Sequence, residues 1–129
     1  MTYHLSDEEK AGVLATSDDK RYGYLVDKAA DSGEVFALRM GDNWASLTVE
    51  DQKYFPIWPH PSFAEDSRKG DWKDAVAEPI EVHDFLAILD KLEEWGDEVA
   101  LYATGDGDFI TMPPMPLASD LRAALAEIE

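Results

Sequence analysis

The chain has 129 residues, no cysteine and a formal net charge of −17, from 28 Asp and Glu against 11 Lys and Arg. That length suits one domain, which buries enough surface to fold without a disulfide or a metal. The lack of cysteine excludes thiolate catalysis, thiolate-held zinc and disulfide staples, and makes a cytoplasmic location the expectation; the charge argues against nucleic-acid backbones and anionic membrane surfaces, which attract clustered Lys and Arg.

The first residues lack the basic and apolar regions of a signal peptide, and no uncharged apolar run is long enough to span a bilayer. Ser6 and Glu9 have the spacing of a capping box, and the helix they open ends near Thr16. Residues 1–16 are thus expected to be an N-terminal extension on a core of residues 17–129. Ser17 caps a second helix, with Tyr22, Leu25, Val26 and Ala29 on one face and Gly33 as its stop. Glu34 to Met40 reads as a strand in which Phe36, Leu38 and Met40 alternate with Val35, Ala37 and Arg39. Gly41-Asp42-Asn43 is turn chemistry, and Trp44 to Val49 returns as a hairpin partner with Ala45, Leu47 and Val49 on one face. Glu50-Asp51-Gln52 turns the chain into a third strand, Tyr54 to Trp58. Pro56 has no N–H for a ladder, so this strand is expected at an edge or paired on one side there.

Pro59 and Pro61 push Trp58 and His60 into extended conformations. Proline is favoured at the first helical position, which makes His60 the N-cap of a short helix from Pro61 to about Lys69, stopped by Gly70. Trp72 follows in an irregular stretch, with a short strand at Pro79 to Val82. Phe85, Ile88, Leu89, Leu92 and Trp95 have helical spacing and end at Gly96; Trp95 is expected to pack. Val99 to Thr104 is a strand, Gly105-Asp106-Gly107 a turn, and Asp108 to Met112 the returning strand. Pro113 to Pro116 leads into a last helix carrying Leu117, Leu121, Leu125 and Ile128. This order predicts an α+β fold: a single small domain with a mostly antiparallel sheet, a three-strand meander plus a hairpin, covered by four to five helices.

The run Gly33-Glu34-Val35-Phe36-Ala37-Leu38, together with Asn43-Trp44 and Phe55-Pro56-Ile57-Trp58-Pro59-His60, resembles the bacterial domain-of-unknown-function family 2750. Gly70-Asp71-Trp72-Lys73, His83-Asp84-Phe85-Leu86 and Met112-Pro113-Pro114 extend the likeness. It covers residues 18 to 128, and the Trp-Pro-His element is its specific part. The resemblance implies a small cytosolic bacterial domain. It brings no activity, cofactor or catalytic residue, and the helix from Asp7 to Ala15 looks like an individual extension.

Tyr54 to Phe63 packs four aromatics, three prolines and His60 into ten positions. An unperturbed imidazole titrates near pH ~6.5. Catalysis would need a nucleophile or second base beside it, and the chain has neither a G-x-S-x-G elbow nor a His-rich metal pattern. The competing reading is an N-cap whose ring nitrogen accepts a backbone N–H. The N–H groups of Ser62, Phe63 and Ala64 could hold an anion with Arg39 as counter-charge, or be satisfied by His60 and water. Trp44, Trp58 and Trp72 form either an exposed hot spot or part of the core. Gly105-Asp106-Gly107-Asp108 falls short of a calcium loop and reads as a hairpin turn. Glu93-Glu94 and Glu65-Asp66 are neighbours on helices, so they point apart and make no carboxylate dyad. Pro113 to Pro116 is a polyproline ligand or, more simply, a rigid connector.

The acidity has three readings: solubility with helix-end chemistry, steering of a basic partner, and nucleic-acid mimicry. The expectation for function is a non-enzymatic acidic protein-binding module, regulatory or inhibitor-like in the manner of an immunity protein, with a basic protein partner. Its candidate contacts are Trp58, His60, Trp72, Trp44 and Arg39, with no catalytic residue, metal or cofactor. The alternative is a small-molecule-binding domain or minor enzyme around His60, and the third reading is the mimic. An edge near Pro56 leaves monomer and homodimer both open.

Overall fold

The computed structural model describes residues 3–104 and 108–128, so the turn expected at Gly105-Asp106-Gly107 lies outside the described residues. Helix α1 (Asp7–Leu14) opens on Ser6, whose hydroxyl accepts the Glu9 N–H, while the Glu9 carboxylate turns to the Tyr24 hydroxyl. The helix has no apolar face; Val13 alone is buried and joins the core. Helix α2 (Asp18–Ser32) is capped by the Ser17 hydroxyl and buries Leu25, Val26, Ala29 and Ala30. It ends at Gly33, whose φ of +83° is left-handed and cheap only without a Cβ.

Strand β1 (Glu34–Met40) is buried on both faces, since Val35, Phe36, Ala37 and Leu38 are all enclosed. It is flanked by β2 (Asn43–Trp44) on one side and β5 (Val76–Glu81) on the other, both antiparallel. Trp44 to Val49 is not one strand. The Ala45 N–H still reaches the Leu38 carbonyl and its side chain is buried. Beyond it the chain leaves β1, and β3 (Leu47–Val49) pairs with β4 (Gln52–Ile57) in a second sheet. Glu50 and Asp51 close that hairpin with φ of 50° and 70°. Two successive positive φ values give a turn whose twist matches the flanking strands.

The second sheet runs β3-β4-β6-β7, with β6 (Glu98–Leu101) parallel to β4 and β7 (Ile110–Met112) antiparallel to β6. The architecture is therefore α+β with two mostly antiparallel sheets instead of one, and the meander is split between them. The strand carrying Pro56 is interior, which corrects the edge alternative. One-sided pairing at Pro56 does hold. The β3 ladder ends at Tyr54, while Pro56 stays opposite Ala100 on β6. The Ile57 carbonyl faces β6, accepting the Tyr102 N–H, so the position of Pro56's missing N–H faces the other way. Past Pro56 the vacated side is taken by β1: Trp58 and Phe36 exchange both N–H···O bonds at 2.9 Å. Pro56 thus marks where β4 changes neighbours, and this bridge joins the two sheets. The same bridge explains Pro79 in β5. Phe36 lies opposite Pro79 but turns both its backbone groups to Trp58, so nothing on β1 asks Pro79 for a donor.

Between β4 and β6 the chain makes α3 (Pro61–Glu65), a 3₁₀ turn (Gly70–Trp72), β5 and α4 (Val82–Trp95). Helix α3 ends four residues short of the expected Lys69. Ser67, almost wholly buried, hydrogen-bonds the Ala103 carbonyl through its hydroxyl. Gly70, at φ +55°, opens the 3₁₀ turn. Helix α4 starts on Glu81, whose carboxylate accepts the His83 N–H at 3.0 Å; that bond holds the carboxyl below its ordinary range. Helix α5 (Pro114–Ile128) buries Leu117, Ala118 and Leu121 and packs on α2 and α4, with the Tyr22 hydroxyl donating to Asp120 at 2.5 Å. Among the described residues no helix is long and apolar enough to cross a membrane.

Candidate functional site

The Trp-Pro-His segment turns the end of β4 into α3. His60 is extended (φ −152°, ψ 147°), and Pro61 occupies the first helical turn. The Ser62 N–H donates to His60 Nδ1 at 3.0 Å. An accepting Nδ1 puts the proton of the neutral ring on Nε2, which donates to the Tyr3 carbonyl at 2.9 Å. The ring packs edge-on against Tyr3, with centroids 4.9 Å apart, and leans on Phe36 at 6.3 Å. Burial holds the imidazole below its ordinary value. Both nitrogens are committed to backbone, so His60 fastens residue 3, the end of β4 and the start of α3 together and has no lone pair left for a base.

The start of α3 is similarly occupied. The Phe63 N–H bonds the His60 carbonyl, and the nearby cation is Lys10, which donates to the Ser62 carbonyl at 3.3 Å and pairs with Asp66 at 2.5 Å. Arg39 sits elsewhere: its guanidinium pairs with Glu78 at 2.7 Å and lies over Trp44, 4.3 Å from the ring centroid. Arg39 and His60 therefore serve two separate clusters.

The tryptophans divide in the same way. Trp58 (1% exposed) and Trp72 (8% exposed) meet edge-to-face at 6.1 Å within the core. Trp58 donates its indole N–H to the Ala103 carbonyl at 3.0 Å, the same oxygen that Ser67 bonds. Trp44 is half-buried and packs edge-on to Phe55 at 6.4 Å. Trp95 departs from the packing expected of it, at 64% exposed. Leu92 is the last buried residue of α4, and the final turn runs past the edge of the core. Trp44 and Trp95 line a groove of about 370 Å³, with Phe55, Lys53 and Asp97 beside them. Sequence reading missed this groove. The available signal was an aromatic amid Glu93, Glu94, Asp97 and Glu98, on a helix whose apolar stripe was already complete at Phe85, Leu89 and Leu92.

Two further cavities share Lys69 and Ala103, the latter just past the C-terminal end of β6. One, of about 250 Å³, is walled by Trp58, Phe63 and Tyr102. The other, of about 540 Å³, is lined by Ser46, Thr48, Lys69, Asp71 and Trp72. Tyr102, on the wall of the smaller, has a φ of +57°, a strained value for a residue with a Cβ, and its hydroxyl donates to the Arg21 carbonyl at 2.8 Å. Burial pushes this phenol well above its ordinary range. Among the described residues no three His, Asp or Glu side chains converge to hold a metal ion.

No curated protein and no solved structure matches the chain. The elements that build the corner, from α2 through β4 and α3 to the middle of α5, do have a counterpart. Residues 22–121 match the model of the family described as protein of unknown function (DUF2750), with Tyr3 and α1 outside the matched span, and the chain belongs to that family.

Proposed function

We propose that this chain is a non-enzymatic, acidic protein-binding module of the bacterial cytoplasm whose partner is a basic protein, in a regulatory or inhibitor-like role. The observation that carries the reading is the charge of −17 on a body this small. Carboxylates crowd the first turns of α1 and α2 and the last turn of α4, and a field of one sign speeds encounter with a cationic partner and repels polyanions. Commitment of both His60 nitrogens to backbone supports it, since the centrally placed imidazole is then spent on architecture. A chain without cysteine suits a reducing compartment.

Affinity capture from bacterial lysate tests this, followed by reconstitution with purified partner. The expected partner has a pI above about 9, and its affinity falls steeply with salt. A partner that is acidic, or bound equally well at low and high salt, would refute the reading. The second reading, a small-molecule site, is favoured by the cavity of about 540 Å³ under Trp72. A metabolite panel that raises the melting temperature of the wild type, with the rise lost in Thr48→Val, would support it.

A further inference from the structure

We infer that the groove between Trp44 and Trp95 is the contact surface, and that it takes an arginine side chain from an extended segment of the basic partner; this rests on the protein-binding reading above. Trp95 is a large aromatic at 64% exposure. No ring or cation contact among the described residues involves it, while every other tryptophan has such a contact. Tryptophan is among the residues enriched at the centres of binding hot spots.

The neighbouring cluster identifies the occupant. Against Trp44 of the other wall the chain carries its own arginine in the same chemistry: the Arg39 guanidinium lies 4.3 Å from the ring centroid and donates from Nε to Glu78 at 2.7 Å. Aromatic face plus carboxylate is the combination that a planar guanidinium satisfies best, through stacking and directed hydrogen bonds together. Trp95 repeats the aromatic half, and Asp97 on the same groove supplies the carboxylate. The position strengthens the cation preference. Trp95 is the last residue of α4, the negative end of the helix dipole; the Gly96 and Asp97 N–H groups cap the Glu93 and Leu92 carbonyls, and the last turn holds Glu93 and Glu94 with no basic residue. Three cations oppose this field, of which Arg39 is already paired with Glu78. Lys91 pairs with Glu94 at 3.7 Å, and Lys53 stands on the groove wall. With a volume of about 370 Å³, the groove suits one long side chain and its flanking backbone better than a folded surface.

Calorimetric titration of the full chain with an acetylated tetra-arginine amide at low salt tests the inference. Trp95→Ala is expected to weaken binding about tenfold and Asp97→Asn about threefold. Asp31→Asn, which removes the same charge from the last turn of α2, should leave affinity within about twofold. Tetra-lysine should bind more weakly than tetra-arginine. In the wild type, the Trp95 indole N–H resonance should shift on addition of tetra-arginine, a readout that needs no variant. If tetra-arginine binds but Trp95→Ala and Asp31→Asn behave alike and the indole resonance stays still, the groove assignment falls while the basic-partner reading survives. If neither tetra-arginine nor any basic protein binds the wild type, both fall.

Discussion

Replacing His60 tests the account of the corner most directly, because its two nitrogens perform separable tasks. Nδ1 caps α3 and Nε2 holds the Tyr3 carbonyl. Loss of a side-chain N-cap costs about 1 kcal/mol, and loss of a hydrogen bond to a half-buried carbonyl costs about 1 kcal/mol. His60→Ala should therefore lose about 2 to 3 kcal/mol once the ring contacts with Phe36 and Tyr3 are included, or roughly 8–12 °C in Tm for a domain of this size. Asparagine is an equally good cap but too short to reach residue 3 and lacks the ring, so His60→Asn should lose about 1 to 2 kcal/mol, about 1 kcal/mol less than alanine. Urea denaturation monitored by far-UV circular dichroism measures both. The pH dependence carries the same signature. Burial keeps the folded-state pKa below the ordinary value of 6.5, so the unfolded chain takes up the proton first. The folded state consequently loses stability as pH falls through 6.5 towards the folded-state pKa, and the loss levels off below it. His60→Asn should remove this component, which sets in as pH falls through 6.5, while leaving the carboxylate-driven loss at lower pH. Equal destabilisation by alanine and asparagine, or a His60→Ala cost under about 0.5 kcal/mol, would refute the capping account.

Trp58→Phe gives up the indole bond to Ala103 and should cost about 1 to 2 kcal/mol, whereas Trp58→Ala opens a cavity at the joint of the two sheets and should cost about 4 kcal/mol by the same denaturation assay. The double change Glu50→Asn/Asp51→Gly should raise stability by about 1 kcal/mol, because both residues hold positive φ that Asn and Gly adopt readily; an unchanged or lowered midpoint would mean the turn is not the mirror-image type. Gly96→Ala forces a Cβ into the left-handed cap of α4 and should lower the urea midpoint by an amount equivalent to about 1 kcal/mol. Trp95→Ala should leave thermal stability within about 0.5 kcal/mol of wild type, since that side chain lies outside the core.

Local chemistry along the chain was enough to determine most helix starts and the two glycine stops, but not the end of α3. Ser6, Ser17 and His60 cap, Gly33 and Gly96 stop, and β1 keeps its predicted bounds, because capping and φ preferences act within a few residues. Of the candidate contacts, the N-cap role of His60 was legible for the same reason. Its second bond was not, because Tyr3 lies 57 positions away and belongs to a segment read as an appendage. The split of Trp44 to Val49 between two sheets, the parallel pairing of β4 with β6, and the hand-over from β3 to β1 at Pro56 depend on which strands come together in space. Periodicity records how a residue alternates within its own strand and carries no trace of its neighbour. Trp95 illustrates the same boundary. Its spacing on α4 matches that of the buried Leu92, and only the distance the core extends beneath the helix separates the enclosed side chain from the exposed one.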